Sequence, residues 1–145
     1  MPPLPPVLDR YIEGLQAHDV QKISGTVLPE VAFITPTRRL DKEQFLAMLR
    51  ALYTAFPDWR YDHDPPELRG ETIAIRWRQG GTHTGTFVLA GLDPVPATGR
   101  RVRIPEQYFF YTVRSGAIAE IRPEPIPGGA PRGILEQIGH PMPPL

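Results

Sequence analysis

The dominant hydrophobic period of the chain changes near residue 57, and this change limits the possible folds. Before it, apolar residues recur at intervals of three and four, which is typical of amphipathic helices. After it, apolar and polar residues alternate, which is typical of half-buried strands. The helices are expected at 7–17, 20–27 and 41–56, with a short closing helix at 133–138. The strands are expected at 31–35, 59–64, 71–79, 82–90, 100–113 and 117–121.

Local signals mark several of the element boundaries. Asp41 and Gln44 have the spacing of a capping box, which predicts the start of the third helix. Gly80-Gly81 and Ser115-Gly116 are hairpin-turn signals between alternating segments. Pro105 predicts a break or bulge in the long strand that contains it. Helices followed by a meander of antiparallel strands indicate an α+β fold, in which the helices cover one face of a strongly curved sheet and leave a cavity.

Composition limits the possible binding partners and the expected cellular compartment of the protein. The 145 residues predict a single domain, 1–145, and the 19 prolines crowd the ends, so 1–6 and 140–145 are expected to be proline-rich tails. Sixteen basic residues balance sixteen acidic ones, which argues against a nucleic-acid partner. The absence of cysteine excludes thiolate metal sites and cysteine nucleophiles. No apolar run is long enough for a membrane helix, and no secretory signal is present, so a cytoplasmic location is expected.

Four segments carry a resemblance to a known family. They are FPDWRYDHDPPELRGETIAIRWRQGGTHTGTF (56–87), PATGRRV (96–102), YTVRSGAIAEI (111–121) and GILEQIG (133–139). In this order they resemble the SnoaL-like polyketide cyclases, or ester cyclases, of the nuclear-transport-factor-2-like superfamily. The resemblance covers roughly residues 7 to 139.

This resemblance implies a cone-shaped, cystatin-like α+β fold. Its strongly curved mixed or antiparallel sheet is covered on the concave side by the N-terminal helices, and the chain forms a homodimer. The resemblance also implies an enclosed pocket for a small apolar or aromatic ligand. In such cyclases an intramolecular aldol condensation closes a ring with no metal or cofactor, and a carboxylic residue helped by a histidine moves the protons. Other proton-transfer reactions of the isomerase or lyase type suit the same scaffold.

The chain departs from the family pattern at two positions. Members commonly carry a polar residue in the long strand where this sequence has Phe109, and an aspartate where it has Pro123. Glu124, one place further on, is the nearest substitute. The departures weaken the cyclase hypothesis and leave the fold hypothesis unchanged.

Three residues are the candidates for acid–base catalysis: His83, Glu106 and Glu124. A neutral histidine can exchange a proton near neutral pH. Glu106 lies among aromatic residues, where a carboxylate would lose hydration and become a stronger base. The structural alternatives are a hairpin histidine bonded to its neighbours, and a Glu106 that points into water or pairs with Arg76, Arg78 or Arg103.

Further residues are candidates for substrate contacts. Either Tyr108 with Phe110 or Phe109 with Tyr111 is expected to face the cavity, because strand alternation separates these pairs. Tyr108 or Arg122 is a candidate to stabilise a developing enolate oxygen. The remaining candidates for the pocket lining are Tyr53, Trp59 and Trp77.

The carboxylates and the histidine at 62–64 are not expected to form a metal site. Asp62 and Asp64 are expected to point away from His63 on a strand, which argues against a metal site, and Asp58 is expected to brace the preceding corner.

The rival to an enzyme is a non-catalytic module that binds an apolar small molecule or dimerises. A pocket with a convergent carboxylate and histidine favours an enzyme, whereas an apolar pocket favours a binder.

Overall fold

Four helices and seven strands form the part of the chain that the computed structural model describes, residues 4–139. The helices are α1 Pro6–Ala17, α2 Val20–Ser24, α3 Lys42–Ala55 and α4 Arg132–Gln137. The strands are β1 Val27–Ile34, β2 Arg39–Leu40, β3 Arg60–His63, β4 Glu67–Arg69, β5 Thr72–Thr82, β6 Arg101–Arg114 and β7 Ala117–Pro123. Within this part of the chain, no helix combines the length and the apolar character needed to cross a membrane.

The seven strands form one curved, mixed sheet in the order β2-β1-β7-β6-β5-β3, with β4 also paired to β5. The pairing of β1 with β7 is parallel, and the other pairings are antiparallel. Helices α1 and α3 pack against this sheet, and their apolar residues share a core with the inner residues of β5. The predicted α+β fold with N-terminal helices over a curved sheet is therefore confirmed.

Helix α3 forms as its sequence predicts. The Asp41 carboxylate accepts a hydrogen bond from the Gln44 backbone at 2.9 Å, and the Gln44 side chain accepts one from the Asp41 backbone at 3.0 Å. This capping box satisfies amide groups that the first helical turn leaves without partners. The helix ends before Pro57, whose ring is incompatible with another turn. Its buried side, which includes Phe45 and Leu49, meets the sheet.

The predicted N-terminal tail, 1–6, overlaps the start of α1. Residues 1–3 and 140–145 of the predicted tails lie outside the described residues. Pro5, however, is the N-cap of α1, and Pro6 is its first residue. Proline suits this position because the first helical amides have no partner within the helix and its backbone angle is already helical.

The prediction of a hairpin at Gly80-Gly81 is wrong. Strand β5 continues through both glycines to Thr82, and they pair with Arg103 and Val102 of β6. A β-carbon on Gly80 would lie 2.8 Å from the Val102 carbonyl oxygen, so glycine is needed there for close approach of two strands. The predicted strand 82–90 is also wrong. This segment belongs to the connection between β5 and β6, whose Phe87 and Val95 form an isolated bridge.

The predicted irregularity near Pro105 is confirmed as a bulge. One residue separates Trp77 from Gln79 on β5, whereas Pro105 and Glu106 separate their partners Ile104 and Gln107 on β6. An extra residue on one strand shifts the side-chain alternation at that point.

Smaller differences concern element lengths. Strand β1 begins earlier than predicted, at Val27, and α2 ends earlier, at Ser24. The short strands β2 and β4 were not predicted. The turn at Ser115-Gly116 is confirmed, with positive φ angles of 55° and 77°.

Candidate functional site

A narrow cavity lies between the inner face of the sheet and the helices. Phe109 and Tyr111 of β6 and Trp77 of β5 form its floor, and Leu49 and Leu52 of α3 lie opposite. Its volume is about 60 Å³. A cavity of about 150 Å³ is known to hold a benzene molecule, so an aromatic ring enters this one only if part of the wall moves.

Two segments outside the main elements complete the wall of the cavity. Phe87 and Leu89 come from the connection between β5 and β6, and Ala130 and Pro131 come from the loop before α4. Connecting segments open more readily than packed strands, because fewer buried contacts hold them. These two segments are therefore the parts of the wall at which we expect a ligand to enter, although Phe87 is itself buried and bridged to Val95.

Three tyrosines, Tyr11, Tyr61 and Tyr111, are among the residues with polar groups that line the cavity. The Trp77 indole N–H donates to the Tyr111 hydroxyl at 3.0 Å, and the ring of Tyr11 contacts Tyr111 edge to face at 5.5 Å. The Tyr61 hydroxyl bonds to that of Tyr53 at 2.8 Å. Burial raises the pKa of Tyr11, Tyr61 and Tyr111 well above 10. These phenols therefore stay neutral near pH 7 and act as hydrogen-bonding groups.

An amide adds a further polar group to the cavity. The Oε1 atom of Gln79 accepts a hydrogen bond from the Trp59 indole N–H at 3.3 Å. Gln79 lines the cavity, and the amide nitrogen of its side chain remains a donor. Among the described residues, no aspartate, glutamate, histidine, lysine or arginine lines the cavity. The cavity can orient a carbonyl oxygen, and it contains no side chain suited to act as a general base near pH 7.

Tyr53 and Trp59, two predicted ligand contacts, lie just behind the cavity wall. Tyr53 stacks on His18 with ring centroids 4.1 Å apart and bonds to the hydroxyl of Tyr61, which lines the cavity. Trp59 is buried and bonds to Gln79. Both residues position groups that line the cavity.

His83 lies outside the cavity and closes the base of the loop that follows β5. Its side chain is 0% exposed and stacks on Phe56 at 5.2 Å. The Nδ1 atom accepts from the Thr98 backbone at 3.2 Å and bonds to the Thr98 hydroxyl at 2.9 Å. Burial lowers the pKa of His83. This histidine ties residue 98 to the start of the loop that contributes Phe87 and Leu89 to the cavity wall.

Three predicted site residues lie on the outer face of the sheet. Glu106 is ion-paired with Arg76, and Arg122 with Glu120. The ring of Tyr108 lies 4.8 Å beneath the Arg69 guanidinium carbon. The cavity therefore receives Phe109 and Tyr111 of the aromatic run, whereas Tyr108 and Phe110 face outward.

Glu124 borders a second hollow, with a volume of about 330 Å³. One carboxylate oxygen accepts from the Tyr108 backbone at 3.2 Å. Ala130 and Pro131 line both this hollow and the cavity, so they form a wall between the two spaces. The structure thus brings His83, Glu106 and Glu124 to three separate places.

Gln107 is a structural residue of the site that the sequence analysis missed. Its side chain is 1% exposed, and its amide bonds to the Glu124 carbonyl and to both backbone groups of Ala130. It therefore fixes the loop that forms the wall between the cavity and the hollow. Tyr11 and Tyr61 were also missed as cavity residues, because their sequence signals are those of ordinary core positions.

The acidic cluster after the first corner forms ion pairs and a brace. Asp62 and Asp64 both bind Arg78, at 3.2 and 2.8 Å, whereas the His63 ring packs on Trp77 at 5.0 Å. This arrangement confirms that the two carboxylates point away from the histidine. Asp58 accepts from the Thr82 backbone at 2.7 Å and braces the corner as predicted.

Comparisons with known proteins agree with this architecture. A protein from Jannaschia sp. CCS1, assigned as a SnoaL-like polyketide cyclase, has a TM-score of 0.70 and 19% identity, with 94% of this chain and 91% of that chain covered. IdmH from Streptomyces antibioticus, assigned as a polyketide cyclase, has a TM-score of 0.63 and 20% identity, with 81% and 88% covered. TerC, solved with polyporic acid, has a TM-score of 0.64 and 12% identity, with 91% and 95% covered.

At these identities the similar structures establish the fold alone. No curated protein matches the chain significantly. A family model described as the SnoaL-like domain matches residues 8–121, which is most of the chain. The protein therefore belongs to the SnoaL-like domain family.

Proposed function

We propose that this SnoaL-like domain binds a small, apolar, aromatic carbonyl compound in the cavity beneath α3. The observation that carries the proposal is the lining of the cavity, which consists of aromatic and aliphatic side chains with phenol, indole and amide groups as its polar components. Apolar pockets with a few placed polar groups are the usual form of small-molecule sites. The similar protein TerC was co-crystallised with a small molecule, polyporic acid, which supports a binding role for this scaffold.

Two donors are available for a ligand carbonyl oxygen. The Tyr111 hydroxyl accepts its hydrogen bond from Trp77, so its own proton remains available. The Gln79 amide nitrogen is the second donor, because the oxygen of that amide accepts from Trp59. Burial of the ligand's ring against Phe109 and Leu49 would supply the larger part of the affinity, at about 25 cal/mol per Å² of apolar surface.

A titration with acetophenone tests this proposal. We expect acetophenone to shift the NMR signal of the Trp77 indole N–H, because that group borders the cavity and bonds to Tyr111. The variant Leu49→Phe fills the cavity and should abolish the shift. Leu68→Phe is the matched control, because Leu68 lies exposed on β4. No shift in the wild-type protein, or equal shifts in the two variants, would contradict the proposal.

Acid–base catalysis with Glu124 is a second candidate function. The observation that favours it is the position of Glu124 on a hollow that shares the loop residues Ala130 and Pro131 with the cavity. Movement of that loop would join the two spaces and bring a carboxylate to a bound carbonyl compound. This candidate would retain the family's ring-closing or isomerising chemistry, with Glu124 in place of the missing polar residues.

Exchange of the acetophenone methyl protons for deuterium distinguishes the two functions. A general base beside the bound ketone would accelerate this exchange in D₂O, whereas a binding module would leave it at the rate in buffer. Glu124→Gln should abolish any acceleration if Glu124 is the base. His83→Gln and Glu106→Gln test the other two sequence candidates in the same assay.

A further inference from the structure

A small opening lies beside the cavity, between α3 and the connection that follows β5. Its volume is about 100 Å³, and Met48 and Leu89 line both it and the cavity. Met48 is only half-buried, and its unbranched side chain adopts several conformations at low cost. The two spaces are therefore separated by side chains that a ligand can displace.

Arg38 lines this opening on a well-defined turn. The Thr35 amide donates to the Arg38 carbonyl at 2.8 Å, and the Arg38 amide donates to the Thr35 hydroxyl at 3.0 Å. Within residues 4–139 the Arg38 guanidinium forms no ion pair, whereas Arg76, Arg78 and Arg122 on the sheet all bind carboxylates. The turn thus places an exposed guanidinium at the edge of an apolar space.

Gln44 adds a second hydrogen-bond donor to the opening. Its Oε1 atom accepts the Asp41 amide in the capping box, so the remaining group of this side chain is the donating NH₂. Among the described residues that line the opening, Arg38 and Gln44 are the polar ones, and none carries a carboxylate. Two donors that line the same opening suit a ligand group that only accepts hydrogen bonds.

We propose that the ligand of this domain carries a carboxylate, which Arg38 and Gln44 bind at the opening while its aromatic ring occupies the cavity. This inference rests on the proposed function and adds a charged group to the ligand, which becomes a short aromatic carboxylic acid in its ionised form with its apolar part in the cavity. An arginine can bind a carboxylate through two parallel hydrogen bonds. The ring and the carboxylate need only a short spacer, because the two spaces meet at Met48 and Leu89.

Calorimetric titration of cinnamate and its neutral amide, cinnamamide, tests the inference. The two compounds share a ring and a spacer and differ in charge. We expect the wild-type protein to bind cinnamate about tenfold more tightly, since a hydrogen bond to a charged group typically contributes that much or more. Arg38→Gln should remove this preference and leave the affinity for cinnamamide unchanged. Arg39→Gln is the matched control, because Arg39 is an exposed neighbour that lines neither space.

Each outcome distinguishes this inference from the proposed function. Equal affinities for the two compounds, unchanged in Arg38→Gln, would overturn the role of Arg38 and leave binding in the cavity standing. Equal losses of cinnamate affinity in Arg38→Gln and Arg39→Gln would also overturn it, because they would indicate a general effect of positive charge. Failure of both compounds to bind the folded wild-type protein would overturn the proposed function and this inference together. Leu49→Phe should abolish binding of both compounds.

Discussion

Phe109 and Pro123 lie directly opposite each other on the paired strands β6 and β7. Phe109 faces the cavity, and Pro123 is buried beside the neighbouring hollow. These are the two positions at which the resemblance to polyketide cyclases implies polar residues. Because Phe109 and Pro123 are partners in the sheet, the absence of polar residues at both positions affects a single place and leaves that part of the structure apolar.

Phe109→Asp tests how apolar the surroundings of residue 109 are. Phe109 is partly buried, so the substituted carboxylate would face the apolar cavity without a partner and the packing of the ring would be lost. We expect a loss of about 3 kcal/mol in the free energy of unfolding at pH 7.5. Burial would raise its pKa above the unfolded value of about 3.9, so the folded state binds the proton more tightly. The loss should therefore shrink as the pH falls towards 5. Urea denaturation at the two pH values measures this change.

Phe109→Leu is the control for that experiment. It keeps the site apolar and should cost about 1 kcal/mol at both pH values. If Phe109→Asp were as stable as Phe109→Leu at pH 7.5, the site would be hydrated, and the description of an apolar cavity would be wrong.

Tyr111→Phe should destabilise the protein through its effect on Trp77. Removal of the Tyr111 hydroxyl leaves the buried Trp77 indole N–H without its partner at 3.0 Å. A buried donor without a partner typically costs about 1–3 kcal/mol. In a double-mutant cycle with Trp77→Phe, chemical denaturation should give a coupling energy of at least about 0.5 kcal/mol. A coupling energy of zero would show that the two groups do not interact.

His83→Gln should alter the dependence of stability on pH. Burial lowers the pKa of His83 in the folded state, so below about pH 6.5 the unfolded state takes up the proton first. Wild-type stability should therefore fall with decreasing pH through this range, by up to about 1.4 kcal/mol per pH unit from this group. His83→Gln should lack that contribution. His63→Gln is the control for the removal of a histidine. If stability depended on pH in the same way in wild type and in His83→Gln, the lowered pKa of His83 would be refuted.

The homodimer implied by the resemblance gives a separate prediction. We propose the outer face of the sheet as its interface, because Tyr108 and Phe110 stack there with ring centroids 6.1 Å apart and are only half-buried. Phe110→Glu should shift the sedimentation coefficient from that of a dimer to that of a monomer. A wild-type protein that sediments as a monomer would contradict the prediction.

Local signals allowed much of the fold to be predicted. The capping box of α3 depends on Asp41 and Gln44, which are three residues apart, and the turn at Ser115-Gly116 joins adjacent strands. Neither feature depends on distant parts of the chain. The Gly80-Gly81 pair carries the same local signal as a hairpin turn, but its role is set by the approach of the distant Val102. Only the pairing of β5 with β6 reveals that role.

The placement of the site residues depended on non-local structure. Four successive aromatic residues, Tyr108 to Tyr111, offer two equivalent alternations, and the pairing with β5 selects the one that faces the cavity. The bulge at Pro105 and Glu106 shifts the alternation, so counting forward from the buried Ile104 would place Glu106 inside, whereas it lies on the outer face. The three tyrosines that line the cavity, Tyr11, Tyr61 and Tyr111, come from a helix and two strands, and no motif in the sequence connects them.

Intermolecular nuclear Overhauser effects between acetophenone and the protein test the central claim most directly. Binding in the cavity predicts contacts from the ligand to the methyl groups of Leu49 and Leu52 and to the ring of Phe109. Contacts to Ile126, which lines the second hollow, would place the ligand at the wrong site. Such contacts, or none at all with saturating ligand, would contradict the claim that the apolar cavity is the binding site.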